Sequence, residues 1–367
     1  MRIPLLWLWR LLLGGFAVAY LAYPPVQWLV VNEFHPVALA APLLLWGFWF
    51  LEDDRLVAFA AVAGVACLTK EHVGLVVAAI GLWHWLAHDR RRDGLAIAAV
   101  GTVVAVLAIA VVVPHYAPGG GSPFAGRYES VGGSPGGIAR TAATDPTRIA
   151  EAATEHRDGR YVLQLLWPLG LLPLLSPASL TAVPELTANL LSETRTQTSI
   201  HFHYTAGAIP SLIVGAILGA AWLRRRFRLA GSRIVAGVLG VSLLANVAMA
   251  PIPLWARVPG GETLGANDWR RTEHDRVLER AVRLVPPDAA VSATNALGAH
   301  LSERRRILSF PHARGAYWIA VDQRQASYLD RVSAPAAFGA AFARLRSDPR
   351  WRTVFAEDGV VVLRRVN

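Results

Sequence analysis

Nine apolar segments fill most of the first 250 positions, at 11–31, 36–51, 56–69, 73–87, 94–114, 161–175, 177–191, 205–223 and 232–251. Sequence of this kind restricts the chain to structures that satisfy their backbone polar groups without water, which in a bilayer means helices packed together. A full crossing takes about 20 residues, and the first, fifth, eighth and ninth segments reach that length comfortably. The other five are short and are expected to run partly through protein or as hairpins that enter part way. Pro168, Pro173, Pro177 and Pro184 fit this expectation for 161–191, because neighbouring helices must re-satisfy the carbonyls that proline frees. The 54% hydrophobic content and mean hydropathy of +0.37 agree with a polytopic membrane protein rather than a large soluble core.

Orientation follows from arginine. Arg2 and Arg10 precede the first segment, Arg90, Arg91 and Arg92 follow the fourth, and five arginines lie between Arg224 and Arg233. Placing all three groups in the cytoplasm requires an even number of crossings between them, which the nine segments provide even if 161–191 is a re-entrant hairpin. Trp28, Trp83, Trp85, Trp167 and Trp222 fall near segment ends, as interfacial tryptophans do. The expected topology is a multi-pass protein of the cell membrane with its N-terminus inside. A transmembrane domain over 1–255 has an external loop at 115–160, and an extracytoplasmic domain spans 262–367. The net charge of +10 does not indicate a nucleic-acid partner, since the arginines form short clusters at segment ends and no single basic stripe. The N-terminus lacks a small-residue cleavage pattern after its apolar stretch. Cys67 is the only cysteine, which rules out an intrachain disulfide and a cysteine-based metal site.

Of the 36 basic residues only Lys70 is a lysine, and it sits in Thr69-Lys70-Glu71-His72 between two apolar segments. Charge at that depth is costly unless paired or solvated, so the run either caps a turn at headgroup level or belongs to a site. The same topology puts Glu33 and His35, which precede Pro36, on the outer side with it. His201, His203 and Tyr204 join them, with Glu193 and Arg195 just upstream. Four histidines and three carboxylates on one side could hold a divalent metal or supply a general base tuned near neutrality. The alternative is interfacial histidines bonded to nearby backbone. No i, i+4 histidine pair occurs among these outer-side residues, so the cofactor stays unknown, with a divalent metal as the candidate.

The segment 115–160 is glycine-rich, with Gly119-Gly120-Gly121, Gly132-Gly133 and Gly136-Gly137 around Arg127-Tyr128. It lacks the Lys-Ser/Thr ending of a phosphate loop and follows no strand, so nucleotide binding is not expected. It reads as a lid whose Arg127 meets a phosphate through bidentate hydrogen bonds, or as a solvated loop.

Beyond residue 260 the composition becomes that of a soluble domain of about 105 residues. A helix is expected from Asn267-Asp268, with Val277, Leu278, Ala281, Val282 and Val285 on one face, ending at Pro286-Pro287. Strands read at 289–294, 306–310, 316–321, 351–356 and 360–364, with helices at 295–303, 323–332 and 335–347. Asp358-Gly359 marks a hairpin. The alternation argues for a small α/β domain. Asp322, at the end of an apolar strand, is placed either to meet a ligand or to cap the next helix.

Phe34-His35-Pro36, Thr69-Lys70-Glu71-His72, the loop 119–128, Gly132-Gly133-Ser134-Pro135-Gly136, the stretch 169–177, Asn189-Leu190-Leu191-Ser192 and His203-Tyr204 follow one another in an order that is familiar as a set. With Leu297-Gly298-Ala299-His300-Leu301 and Phe310-Pro311, they resemble a family of predicted polytopic membrane proteins. This is domain-of-unknown-function family 2079 (DUF2079), itself similar to the glycosyltransferase-C superfamily; the resemblance covers roughly 15–365. It implies a lipid-phosphate-sugar-dependent glycosyltransferase with an external site and a polyprenyl-phosphate sugar as partner within the lipid bilayer. Glu33, His35 and Glu71 are then the catalytic candidates. Lys70, Arg127, Tyr128, His201, His203 and Tyr204 are the substrate- or phosphate-binding candidates. The chain departs from the family pattern at His72, where aspartate is usual. It also begins well inside that pattern, without the early external loop that carries the carboxylate in glycosyltransferase-C enzymes. A shortened, poorly active copy is therefore expected. The alternative is a non-catalytic membrane protein whose external domain binds a partner. A transporter or flippase fits less well, because the apolar segments carry almost no charge.

Overall fold

The computed structural model describes residues 6–31, 35–117, 124–154, 156–251, 271–325, 330 and 335–366. The chain divides into two units, 1–264 and 265–367.

The described residues of the first unit form helices and turns and no strand. Helix α1 (Leu6–Ala22) is followed by α2 (Pro24–Val31) with a bend of 55°. The break falls where Pro24-Pro25 removes two donors and pushes Tyr23 out of the helical region. Tyr23 is fully buried and its hydroxyl donates to Leu165 O at 2.6 Å, which fixes the bend to a distant segment. Helix α3 (Ala40–Glu52) and α4 (Leu56–Cys67) form a hairpin, as do α5 (Val73–His88) and α6 (Arg91–Tyr116). Their tight turns lie at one end of the unit, joined by His88 Nε2 to Glu52 Oε1 at 3.1 Å and by an Arg90–Asp54 ion pair.

The α5–α6 contact is set by glycine at a spacing of seven, two helical turns. A Cβ on Gly81 would stand 2.7 Å from Gly94 O, and one on Gly101 would stand 2.6 Å from Gly74 O. The two backbones touch, as small residues allow in helix pairs without a hydrophobic driving force. Helix α6 widens to a π-helical stretch at Ala108–Val112, just ahead of Pro114. That proline has no N–H to return and its ring crowds the carbonyl one turn back.

The segment 115–160 was expected to be a glycine-rich lid or a solvated loop, but its described part is a string of short helices. A 3₁₀ turn at Ala125–Val131 leads into α7 (Pro135–Thr144), α8 (Pro146–Ala153) and α9 (His156–Leu166). Ser134 Oγ accepts from Gly137 N at 3.0 Å and Asp145 Oδ1 from Arg148 N at 3.3 Å, each followed by proline at the first helical position.

Positions 161–191 form no continuous spanning helix. After α9 the chain makes 3₁₀ turns at Trp167–Leu169, Leu172–Leu175 and Pro177–Ala182 before α10 (Val183–Leu190), with a proline opening each piece. The freed carbonyls find partners: Pro168 O accepts from Ser242 Oγ and Pro173 O from Ser179 Oγ, both at 2.7 Å. This irregular stretch packs on α11 (Ala208–Phe227), which runs through the core and is followed by α12 (Gly231–Met249).

Among the described residues, three helices are long and apolar enough to cross a membrane: α6, α11 and α12. The bent α1–α2 pair makes a fourth if counted as one span. The helices at Pro36–Glu52, Leu56–Cys67 and Val73–His88 are apolar but shorter.

The second unit is a five-stranded mixed sheet with helices on both faces. Its strands are β1 (Ala290–Ala293), β2 (Arg306–Ser309), β3 (Trp318–Asp322), β4 (Trp351–Glu357) and β5 (Val360–Arg365), in the order β2-β1-β3-β5-β4. β1 runs parallel to β2 and β3, whereas β5 is antiparallel to β3 and β4. Helix α13 (Glu273–Leu284) lays Val277 and Ala281 on Val291, Ala320 and Val362. The short α14 (Asn295–His300) adds Leu297 to this face, and α15 (Pro335–Ser347) covers the other with Phe342 against Ile319, Val321 and Leu363.

The expected helix start at Asn267-Asp268 lies outside the described residues. The cap seen is Thr272, whose Oγ1 accepts from Asp275 N at 3.2 Å while Asp275 Oδ2 accepts from Thr272 N at 2.6 Å. Most of the helix read at 323–332 also lies outside them. Asp358 (φ 45°) and Gly359 (φ 81°) turn the β4–β5 hairpin.

Candidate functional site

Three irregular segments of the membrane unit meet where the chain must leave helical geometry. The first is the turn Lys70-Glu71-His72 between α4 and α5, at the opposite end of those helices from the Asp54 and Arg90 turns. The second is the 3₁₀ turn at Ala125–Val131, with Phe124 ahead of it. The third is 189–205, between α10 and α11.

Arg127 is held by its backbone and its side chain. Its carbonyl accepts from Glu193 N at 2.8 Å, and Glu193 Oε1 accepts from Ser130 N at 2.6 Å. Its guanidinium donates to Gln197 Oε1 at 3.4 Å and Tyr204 Oη at 3.3 Å. Gln197 is set in turn by Ser192 Oγ at 2.6 Å and donates to Tyr128 Oη at 3.3 Å. Asn189 Nδ2 donates to Tyr204 O at 2.6 Å and Tyr161 Oη at 3.0 Å. A neutral amide and hydroxyl lattice therefore fixes the cation without neutralising it.

The ring of Phe124 is shared by two cations. Lys70 Nζ lies 5.6 Å from its centroid and Arg127 Cζ lies 4.8 Å from it. Arg127 Cζ also lies 5.7 Å from the Tyr204 ring centroid. Lys70 is close enough to Glu71 to steady that carboxylate's charge. Even so, no carboxylate among the described residues is in ion-pair contact with Lys70 or Arg127.

Beside them, His72 bridges two carboxylates. Its Nε2 is 3.2 Å from Glu185 Oε2 and its Nδ1 is 3.9 Å from Glu71 Oε1. Glu185 is buried on α10, and its other oxygen accepts from Gly207 N at 2.9 Å. Burial opposes charge on His72, but Glu185 and Glu71 outweigh it and drive the imidazole up to about 9. Burial likewise opposes charge on Glu71, yet His72 and Lys70 hold it down at about 2. His203 goes the other way, pushed down to about 3 by burial and then by the charges of His35, Lys70, Arg127 and His72. Its ring lies 3.7 Å from that of His35 and 4.2 Å from that of Tyr204. Near neutrality the cluster therefore holds a cationic His72, an anionic Glu71 and a neutral His203 in a positive field.

Of the residues singled out in the sequence, the structure brings His35, Lys70, Glu71, Arg127, Tyr128, His203 and Tyr204 to this place. His201 instead packs edge-on against Trp28 at 4.6 Å, with Ser199 Oγ 3.0 Å from its Nδ1. Glu33 lies outside the described residues. Glu185, Phe124 and Gln197 were missed. Glu185 had a signal, since a lone carboxylate inside an apolar segment is a site candidate by its cost alone. Among the described residues, no three His, Cys, Asp or Glu side chains converge as a metal ion would require.

These groups can bind an anion. Two fixed cations that make no carboxylate ion pair among the described residues, an imidazole with one N–H and one lone pair, and two aromatic rings suit a phosphate attached to something with a face to stack on. They are poorly set for general base catalysis, because neither Glu71 nor His72 takes up a proton near neutrality.

Fold and site together define a multi-helical membrane protein with a cationic cluster between its helices and a separate mixed α/β domain. The chain belongs to the predicted-membrane-protein family DUF2079, whose family model matches residues 14–362. No curated protein and no solved structure matches it.

Proposed function

We propose that the cluster around Phe124 binds the phosphate of a lipid-phosphate-linked sugar on the extracytoplasmic side of the cell membrane, and that the protein is a glycosyltransferase of the glycosyltransferase-C kind. One observation carries this reading: Lys70 and Arg127 lie over one aromatic ring, and neither makes an ion pair with a carboxylate among the described residues. Clamping a phosphate leaving group is the largest contribution such a site makes to sugar transfer. His203, neutral and able to donate or accept, faces the sugar, and Tyr204 offers a ring to stack on. Glu33, two residues before His35 in sequence, is the carboxylate left for the general base, since Glu71 is held by His72 and Lys70. The topology proposed is that of the nine apolar segments, with both the cluster and the α/β domain outside.

A second reading rests on the same protonation pattern. With Glu71 and His72 locked to each other, the site can hold a phosphate without turning it over, as in a non-catalytic membrane protein that binds a partner.

The test is binding of a polyprenyl-phosphate hexose to the full chain in nanodiscs, beside a polyprenyl glycoside lacking the phosphate. The phosphate-bearing lipid should bind. Lys70→Ala and Arg127→Ala should each weaken it about tenfold or more, since each leaves phosphate charge unpaired. Equal binding of both lipids, or of neither, overturns the proposal. Release of free polyprenyl phosphate on adding an acceptor separates the enzyme from the binder.

A further inference from the structure

The strand register of the α/β domain gathers arginine and aromatic residues at one end of the sheet. The terminal row across β2, β1, β3, β5 and β4 reads Arg306, Ala290, Tyr317, Arg365, Trp351. It is joined by Tyr317 N to Ala290 O and Arg365 N to Tyr317 O, both at 2.9 Å. The next row reads Ile307, Val291, Trp318, Arg364, Arg352. These two rows hold four arginines, three aromatic residues and no carboxylate.

The side chains pair across neighbouring strands. Arg365 Cζ lies 5.8 Å from the Tyr317 ring centroid on one face, and Arg364 Cζ lies 5.5 Å from that of Trp318 on the other. All four arginines are exposed, Tyr317 is half exposed, Trp318 and Trp351 are partly buried against the cores of the two faces, and no carboxylate among the described residues forms an ion pair with any of the four arginines. A cavity of about 470 Å³ opens at the same end, lined by Tyr317, Pro349, Arg350, Arg365 and Val366. Arg350 is already taken by Asp348, whose carboxylate also feels the charge of Arg365, although Arg365 makes no ion pair among the described residues. The opposite end of the sheet carries Asp322, Glu357 and Asp358, each paired there with a cation, His274, Arg280 and Arg324 respectively, so the arginines without an ion pair lie at the first end.

We infer that this end of the α/β domain docks on an anionic phospholipid surface. The lipid phosphates pair with the four arginines, and Tyr317, Trp318 and Trp351 sit at headgroup depth. Charge complementarity argues for this occupant, as does the combination of amphipathic aromatic rings with arginine, which is how proteins anchor at a membrane interface. A plane laid across the strand ends meets both stacked pairs at once, although they lie on opposite faces of the sheet. A nucleic acid or an acidic protein would meet the same charge, but neither calls for three aromatic rings set around one flat end.

The test is hydrogen exchange on the full chain in nanodiscs of phosphatidylcholine, with or without phosphatidylglycerol. Amides of 350–354 and 364–366 should exchange about threefold or more slowly in the anionic discs, with the difference lost at high salt. Arg364→Gln with Arg365→Gln should lower the docking equilibrium by about thirtyfold and remove the slowing. Unchanged exchange across α13 shows that the variant is folded. Equal exchange in the two kinds of disc overturns the inference. So does slowing that needs added RNA or an acidic peptide and ignores the lipid.

Discussion

Replacing His274 by alanine should be among the most damaging single changes in the α/β domain, and the structure says by how much. The imidazole is almost fully buried at the start of α13. Its Nε2 is 3.1 Å from Asp322 Oδ2 and its Nδ1 is 2.8 Å from Asp358 Oδ2. Asp322 is fully buried. Its Oδ1 would keep the Arg324 and Gln325 amides, at 2.9 and 3.1 Å, but its Oδ2 would lose the histidine. Breaking a buried ion pair from one side costs about 3–5 kcal/mol, because a charge is left uncompensated. Asp358 is about one-third exposed and keeps Arg324, so solvent screens its share and the cost falls on Asp322. The domain's midpoint should fall by on the order of 20 °C. The assay is hydrogen exchange of β1 and β3 amides in the full chain, read as the free energy of opening. His274→Ala should cost several-fold more than Asp358→Asn, and adding Asp322→Asn should recover part of the loss. The effect should also depend on pH. Burial lowers the His274 pKa, but hydrogen bonds to Asp322 and Asp358 outweigh it and raise the pKa above its ordinary value. Its contribution is therefore full below about pH 6.5 and fades as pH rises through the folded value. A loss below about 1 kcal/mol, or protection that is flat with pH in the unaltered protein, refutes the reasoning.

Gly81→Leu or Gly101→Leu should drive α5 and α6 apart and lower the melting temperature in detergent, with overpacking costs of about 1–3 kcal/mol. Gly237→Leu, on an open face of α12, should be silent, and a silent Gly101→Leu would deny the backbone contact. Lys70→Arg should leave the fold intact yet weaken phosphate-lipid binding, because a planar guanidinium does not replace a compact ammonium; unchanged binding would make Lys70 a turn cap. Reporter fusions after Gly120, Ser199 and Gly261 should read extracytoplasmic and those after Asp54 and Asp89 cytoplasmic, the last two together because their turns are tied by ion pairs. A cytoplasmic signal after Gly261 would undo the proposed topology.

The α/β domain was the most legible part of the sequence. Its strands lie within about two residues of where alternation and turn residues put them, and Asp358-Gly359 turns as its dipeptide says. The Thr272-x-x-Asp275 pair supplies both reciprocal hydrogen bonds at the start of α13, a capping signal that the reading of Asn267-Asp268 passed over. In the membrane unit, length alone picked out the helices that can span. What periodicity could not give was the geometry of 161–191. There, prolines a few residues apart allow only single turns, and the carbonyls are satisfied by Ser179, by Ser242 and, at Leu165, by Tyr23. The helices after Gly133 were announced by Ser134-Pro135 and Asp145-Pro146, two cap-then-proline signals outweighed by glycine content. The cluster at Phe124 was readable as residue types sharing one side. Its partners were not readable, because which carboxylate meets His72 depends on α10 and α11 closing Glu185 against Gly207.

The depressed basicity of His203 allows phosphate binding to be read without any turnover. Burial and four neighbouring charged or chargeable groups, His35, Lys70, Arg127 and His72, keep the imidazole neutral, at about 3. A bound phosphate cancels part of that positive field and can accept from His203 itself. Both effects favour the protonated form, so the pKa should rise on binding. Added burial under the ligand works in the other direction but leaves the new hydrogen bond in place. The expected rise is about 1–2 units, since each unit corresponds to roughly 1.4 kcal/mol between protonation states. Nitrogen-15 histidine spectra of the full chain in detergent, titrated with and without a polyprenyl phosphate, would show it. If His203 is unmoved or falls while the lipid is bound, the phosphate lies elsewhere. The two cations over Phe124 would then have to be explained as scaffold.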